Sequence, residues 1–413
     1  MGKETVSASL DGIRRLAVAR QHLAGRLPKR PSPDDIVSLI RDLPYVQWDP
    51  VTVVAQSHLI SLWNRLGPFK ASDLDRLMWQ DRRVLLHWTP IASLVLTEDY
   101  PIYHSLMKRY PESLTKSWGN HIPRARQFLA EHHELRKRML SELKSGPLRP
   151  TQFSDYVRTK RSADGWSSGS EVSNMLFHMH MSGDVMVVGR EGNQNTWGLS
   201  EEFLPSWAAR KELSEEEFER AASQKAIRGL GTATLREVRY YFPPGRYQNL
   251  KSTLARLEEG SVIHQVRVDG LEEKDKRYIH DKDIPLLKSV GAGEWEPRMS
   301  LLPPFDNMLK QHSRVFGFDY VREQFLPKER RRFGTYVLPI LWGERFIGRI
   351  DPQFNKKEEK LVINSVHAEP GAPGGKEVSA MIREAVERLS EFIGAREVVY
   401  KGPAPEGWKG ALR

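Results

Sequence analysis

Apolar residues at helical spacing open the chain's readable pattern. Ile36, Leu39, Ile40 and Leu43 fall on one face, and Ser32 before Pro33 is an N-cap followed by proline at the first helical position. This predicts a helix that starts at about residue 33. A helix is also expected over residues 10–27, another over 51–66, and mostly helical structure over 70–145. Beyond the Ser145-Gly146-Pro147 break the pattern changes. A short helix near Thr151 and a loop over 162–169 lead to a helix over 170–181. The β-branched run Val185 to Val188, a turn over 190–195 and a return strand over 196–199 follow.

The same order recurs. Ser214 and Glu217 make a capping box for a helix through Ile227. Helices are expected over 234–241 and 248–259. An alternating strand over 262–268 then reaches the hairpin signal Asp269-Gly270, and residues 277–280 return. Helices followed by a two-stranded hairpin describe a winged helix, and two such modules stand in series. From about residue 294 short strands are expected over 333–341, 345–351 and 360–367, covered by a helix over 377–393. The predicted fold class is therefore α+β. It has a helical or winged-helix unit over 1–145, winged helices over 146–210 and 211–292, and a small antiparallel β-barrel with a covering helix over 293–413.

Composition narrows the function. The 413 residues carry 63 Lys and Arg against 53 Asp and Glu, a net charge of +10. That excess favours a polyanion, and nucleic acid before membrane, since no basic stretch has the apolar face of a membrane anchor. The chain contains no cysteine, which excludes disulfides, thiol catalysis and cysteine zinc sites. No apolar run reaches the ~18 residues of a membrane span, so a cytoplasmic, nucleoid-associated monomer is expected. Two clusters are candidates for phosphate contact. One is the N-terminal segment 1–30, with seven basic residues, including Arg14 and Arg15, against two acids. The other is Lys328-Glu329-Arg330-Arg331-Arg332, the densest positive run. A solvated surface is the commoner reading of both.

Chemistry concentrates at Tyr45-Val46-Gln47-Trp48-Asp49-Pro50. Pro50 biases Asp49 toward extended backbone, and residues two apart on an extended chain share a face. Gln47 and Asp49 then point into one site while Trp48 faces away. A Gln-x-Asp triplet alone also fits an Asp49 that caps the next helix. Other candidates are weaker. His178 and His180 splay apart on a helix and cannot share a metal, His132 and His133 are adjacent, and no His-Glu-x-x-His or Gly-x-Gly-x-x-Gly pattern exists, so no metal or cofactor is assigned. His87, beside Trp88, reads either as a packed structural residue or as lining the site.

Several stretches carry a resemblance: Gln47-Trp48-Asp49, Leu301-Leu302-Pro303-Pro304-Phe305-Asp306, Phe316-Gly317-Phe318-Asp319-Tyr320, Tyr336-Val337-Leu338-Pro339 and Gly348-Arg349-Ile350-Asp351. In this order, over nearly the whole chain, they resemble the AlkZ/AlkX (YcaQ-like) bacterial DNA glycosylases. The resemblance implies tandem winged helices, a small β-barrel and excision of bulky alkylated bases, including interstrand crosslinks. It implies that Gln47 and Asp49 are catalytic, in the Gln-x-Asp branch tolerant of N7-alkylguanines, and that Phe305 and Asp306 lie at the site with Trp48. Pro303 stands where serine is expected.

The expected substrate is double-stranded DNA with alkylation damage. An N7-alkylated purine is a cationic leaving group and needs no general acid, and the opening sugar resembles an oxocarbenium ion. An ionised Asp49 can stabilise that cation and deprotonate water, with Gln47 orienting it. Without a lysine in the motif a monofunctional enzyme is expected. The alternative is a winged-helix regulator or adaptor that binds DNA without chemistry and has no use for the Gln47/Asp49 pair.

Overall fold

A computed structural model describes residues 5–89, 91–114, 121–157, 170–271, 276–310, 313–410 and 412. The loop expected over 162–169 lies outside them. The early helix is Pro33–Asp42, and its capping box is complete: Ser32 Oγ accepts from the Asp35 N–H, and the Asp35 carboxylate accepts from the Ser32 N–H at 2.7 Å. Ile36, Leu39 and Ile40 are buried on one face. The chain then extends into the strand Val46–Gln47, which pairs antiparallel with Ala92–Leu96; Val84–Trp88 pairs on the far side.

That hairpin falls within the stretch expected to be mostly helical. Its strands are buried on both faces, so they read as the continuous apolar runs Val84-Leu85-Leu86 and Leu94-Val95-Leu96 and show no alternation. Val46, Leu86 and Leu94 enter one core, whereas Tyr45, Leu85 and Val95 enter another. Tyr45 and Gln47 therefore share the second face.

Two expected helices are shorter than their patterns suggest. The helix over 51–66 starts only at Ser57 and runs to Leu66, which leaves residues 51–56 as an irregular loop beside Asp49. The N-terminal helix is Leu10–Arg20, started by Ser9 Oγ accepting from the Gly12 N–H, and His22 beyond it has a left-handed φ of 55°. Before it, Val6–Ser9 pairs parallel with Ile263–Asp269. The N-terminal strand thus completes a four-stranded sheet with Arg277–His280 and Thr232–Thr234.

Both helix-then-hairpin runs form. Glu171–Met181, capped by Ser170, precedes the paired strands Val185–Glu191 and Gln194–Leu199. Glu215–Leu230 has the Ser214/Glu217 box, Leu235–Tyr241 has a second box from Thr234 and Glu237, and Leu250–Glu259 leads into Ile263–Asp269. Gly270, at the hairpin turn, takes φ +78°, a conformation open to glycine.

The C-terminal sheet has five strands in the order Met299–Leu301, Leu338–Trp342, Arg345–Asn355, Lys360–Ala368, Glu397–Tyr400. The last pair is parallel, and the first and last strands are sheet edges, so the expected antiparallel barrel is an open, curled half-barrel. The sheet gains its parallel strand because the covering helix Lys376–Ile393 is itself the crossover between Lys360–Ala368 and Glu397–Tyr400. Val378, Ile382, Ala385, Val386 and Leu389 bury that helix. Among the described residues no helix is long and apolar enough to cross a membrane.

Candidate active site

Gln47 ends its strand opposite Ser93, and Ser93 in turn stands opposite His87. The three form one row across the sheet. Trp48 turns the other way, where its ring stacks on His58 at 4.0 Å between centroids and the Arg190 guanidinium lies 5.6 Å over it. Asp49 follows in the loop with its carboxylate buried, 7% exposed. Its Oδ1 accepts from the Val51 N–H at 3.1 Å, an Asx turn and no helix cap, since the next helix starts only at Ser57. Burial raises the Asp49 pKa above its ordinary value, and the Val51 bond only partly offsets it.

Unsatisfied polar atoms gather here. Asp49 Oδ2, His58 Nδ1 and, two residues before Asp49, Gln47 Oε1 are buried without a hydrogen-bond partner, and the buried Ser57 and Tyr336 hydroxyls have at most each other. Buried polar atoms are normally paired, so a concentration of exceptions needs an explanation, and function is one. The Tyr336 hydroxyl faces Asp49 and Ser57; burial and then the Asp49 charge push its pKa up. Burial, then Arg190, brings His58 down to about 3, against a hydrogen bond to the Asp49 backbone. His58 is therefore neutral near pH 7. Sequence reasoning assigned no role to Ser57, His58, Arg190 or Tyr336, although Tyr336 opens one of the motifs that carry the resemblance.

Tyr336 is delivered by a loop that two carboxylates organise. Asp351 Oδ1 accepts from the N–H groups of Thr335 and Tyr336, at 3.1 and 2.8 Å. Glu323 Oε2 accepts from those of Arg332, Phe333 and Gly334. Gly334 has φ +150°, and a Cβ there would stand 2.2 Å from Asp351 Cγ, so only glycine fits. The Arg349 guanidinium lies between the Phe318 and Phe333 rings, 4.4 and 4.3 Å from their centroids, and donates to the Asp319 carbonyl. The last three motifs thus act together as a scaffold for Tyr336.

The motif containing Phe305 and Asp306 braces the site from behind. Asp306 is fully buried and forms a two-pronged pair with Arg65, Nη1 to Oδ2 at 2.7 Å and Nη2 to Oδ1 at 2.8 Å, with Ser61 Oγ and the Met308 N–H also donating. Burial pushes its pKa up, but the Arg65 charge and these bonds outweigh that and hold it below the ordinary value. Asn307 Nδ2 donates to the carbonyls of Tyr45 (2.7 Å) and Leu43 (3.1 Å), tying the motif to the strand that carries Gln47. The structure does not bring the Asp306 carboxylate together with Asp49. Phe305 is 8% exposed, against Phe325 and beneath the Arg322 guanidinium.

The remaining candidates are dispersed. His87 Nδ1 lies 2.9 Å from His180 Nε2, and His180 Nδ1 lies 3.2 Å from the Val185 carbonyl. His180 must donate to that carbonyl, so His87 donates to His180, and this bond occupies His87 Nδ1. Arg14 donates to the Val315 carbonyl and pairs with Asp11; Arg15 reaches Glu344 and stacks on Trp295. Both guanidinium groups are engaged inside the protein. Arg331 bonds its own loop at Leu326 and Thr335, while Arg330 and Arg332 are exposed.

Two comparisons bear on this arrangement. In the solved structures the chain is similar to the Streptomyces sahachiroi DNA glycosylase AlkZ, with a TM-score of 0.66 at 16% identity, over 96% of this chain and 100% of that one. The DNA glycosylase AlkZ-like family model matches residues 40–392, a span that holds Gln47, Asp49, Asp306 and Tyr336. The chain belongs to the AlkZ-like DNA glycosylase family, and it is a DNA glycosylase.

Proposed function

We propose that this glycosylase hydrolyses the N-glycosidic bond of bulky or cationic N7-alkylated purines, using Asp49 and Gln47. The observation that carries the reading is the buried Asp49 carboxylate with Oδ2 unpaired, two residues after the equally unpaired and buried Gln47 Oε1. A carboxylate committed to structure looks like Asp306, with every oxygen satisfied. Asp49 instead keeps an oxygen for a partner that arrives with the substrate.

The steps follow from these groups. A purine alkylated at N7 leaves as a neutral base, so the C1′–N9 bond breaks without protonation of the base. The neutral His58 is no acid near pH 7, and none is needed. Positive charge develops on the sugar, and the Asp49 carboxylate stabilises it at short range in a site shielded from bulk water. Water attacks C1′ and gives its proton to Asp49. Gln47 orients that water through its amide, and the Tyr336 and Ser57 hydroxyls complete its hydrogen bonds. Crosslinks anchored at guanine N7 present the same bond, so they belong to the proposed substrate class. The helix-hairpin units act as tandem winged helices that grip the duplex, and Arg330 and Arg332 add phosphate contacts. The target nucleotide must leave the stack to reach a buried carboxylate.

The test is release of 7-methylguanine from alkylated duplex DNA under single-turnover conditions. Asp49→Asn keeps the shape and removes the charge, and a loss of about 10²-fold or more is expected, with duplex affinity unchanged. Gln47→Ala should slow release while melting like wild type. Near wild-type excision by Asp49→Asn overturns the assignment.

A further inference from the structure

Two basic groups without carboxylate partners among the described residues flank the Phe305–Lys310 segment, and one of them stands against the strand that carries Gln47. Lys310 Nζ lies 3.3 Å from the Tyr45 hydroxyl and 4.5 Å from the centroid of that ring. Tyr45 and Gln47 occupy the same face of the sheet, and the Asn307 carboxamide fixes the segment before Lys310 onto this strand. The residue is partly exposed, but its amine is buried. Among the described residues no carboxylate lies within ion-pairing distance of it. The nearest acid to influence it, Asp306, already spends both oxygens on Arg65, Ser61 and the Met308 N–H. Burial brings the Lys310 pKa down to about 7, with Arg322 lowering it further against the opposing pull of Asp306.

Arg322 is the second cation. It is exposed, its charge is felt at Lys310, and its guanidinium lies 5.5 Å over the Phe305 ring with no ion pair among the described residues. Around it the surface is apolar: Phe325 is 69% exposed and packs against Phe305, and Val321 is 57% exposed. A desolvated ammonium costs free energy unless an anion pairs with it. That desolvated amine and the exposed Arg322 guanidinium, beside an exposed aromatic, match one ligand chemistry, a phosphodiester with its sugar.

We propose that Lys310 and Arg322 clamp one phosphate of the damaged strand next to the extruded nucleotide, with Phe325 packed on the adjoining sugar. This rests on the placement of the reactive site at Gln47 and Asp49. It adds the contact that sets the strand's register there, so that C1′ of the target meets the Asp49 carboxylate. Lys310 and Arg322 are positioning residues, and they act by neutralising the phosphate.

The experiment measures binding, so it stays readable even if Asp49 proves not to be catalytic. The probe is a short duplex with a tetrahydrofuran abasic site, in which a neutral methylphosphonate replaces each flanking phosphate in turn. Wild type, Lys310→Gln, Lys310→Arg and Arg322→Gln are titrated at several salt concentrations. Lys310→Gln is expected to weaken binding about tenfold and to lower the salt slope by about 1, as for removal of one phosphate partner. Lys310→Arg should restore both. One methylphosphonate position should reproduce the loss in wild type and add nothing in Lys310→Gln or Arg322→Gln. Melting of Lys310→Gln at or above wild type accompanies this result, because an unpaired buried charge is removed. Additive losses at every position overturn the proposal. So does borohydride trapping of wild type, but not of Lys310→Gln, on a natural abasic site, which would make the amine a nucleophile.

Discussion

The Tyr336 hydroxyl faces the Asp49 carboxylate from far along the chain; Asp49 Oδ2 has no hydrogen-bond partner, and the Tyr336 hydroxyl has at most that of Ser57. The two are held by separate scaffolds, one by the Val51 N–H and the other by Asp351 beneath its own backbone. Tyr336→Phe removes one oxygen and leaves both scaffolds intact. Excision should slow by roughly fivefold, the equivalent of one hydrogen bond of about 1 kcal/mol. Melting should change little, since the only bond the hydroxyl makes in the free protein is to the Ser57 hydroxyl. A variant with full activity would show that the hydroxyl takes no part in holding water.

Asp49 should set the acid limb of the pH profile. Its folded pKa lies above the ordinary 3.8 through burial, so excision should fall as pH drops through that raised value. The stability consequence has a definite sign. A carboxyl whose folded pKa is raised binds its proton more tightly in the native state, so ionised Asp49 destabilises the fold at neutral pH. Each tenfold gain in proton affinity on folding costs the ionised state about 1.4 kcal/mol. Asp49→Asn should therefore melt higher than wild type at pH 7, with the advantage shrinking as pH falls through the raised value and gone below the ordinary 3.8. Calorimetry at the two pH values checks this, and a lower melting temperature at pH 7 contradicts it.

Asp306→Asn should do the reverse. It leaves the Arg65 guanidinium, with 0% side-chain exposure, without its counter-ion, and breaking a buried pair costs about 3–5 kcal/mol. A large drop in melting temperature is expected, and excision should fail only in proportion to the folded fraction. The depressed Asp306 pKa also gives stability that is present above the ordinary carboxylate value and lost as pH falls through the lowered one. The two Asp→Asn changes thus separate by the direction of their effect on melting.

Binding to undamaged duplex should weaken steeply with salt and show little sequence preference, because phosphate contacts dominate such affinity. Charge reversal at Arg330 and Arg332 should lower the slope by about 1 for each phosphate no longer engaged. Reversal at Arg14 and Arg15 should act mainly on stability, through their bonds to Val315, Asp11 and Glu344. A flat salt dependence in all variants would remove the electrostatic account of binding.

Local chemistry is what the chain displays openly. The Ser32, Ser214 and Thr234 caps, the Asp269-Gly270 turn and the extended backbone before Pro50 rest on neighbours a few residues apart. The Gln47/Asp49 pair is visible for that reason. The hairpin of Val84–Trp88 and Ala92–Leu96 is hidden because strands covered on both sides lose their period. The strand Val6–Ser9 is hidden because its partner lies far along the chain. Tyr336 lies in plain view as part of a motif, yet its relation to Asp49 depends on a fold that brings residues 49 and 336 together. Arg14 and Arg15 look like a solvated basic face until Val315, Trp295 and Glu344 arrive to occupy them. Burial decides function here, and one-dimensional patterns record it only indirectly.

The Asn307 bridge to Tyr45 and Leu43 has a consequence for when the enzyme exists at all. The Gln-x-Asp triplet leaves the ribosome early, but the amide that fastens its strand, the Arg65 counter-ion and the Tyr336 hydroxyl are all made in the final third of synthesis. Until then the triplet lacks these partners. A nascent, truncated or proteolysed chain therefore carries the proposed reactive carboxylate without its completed setting, so on this assignment the site forms only once residues 306, 307 and 336 have folded against it.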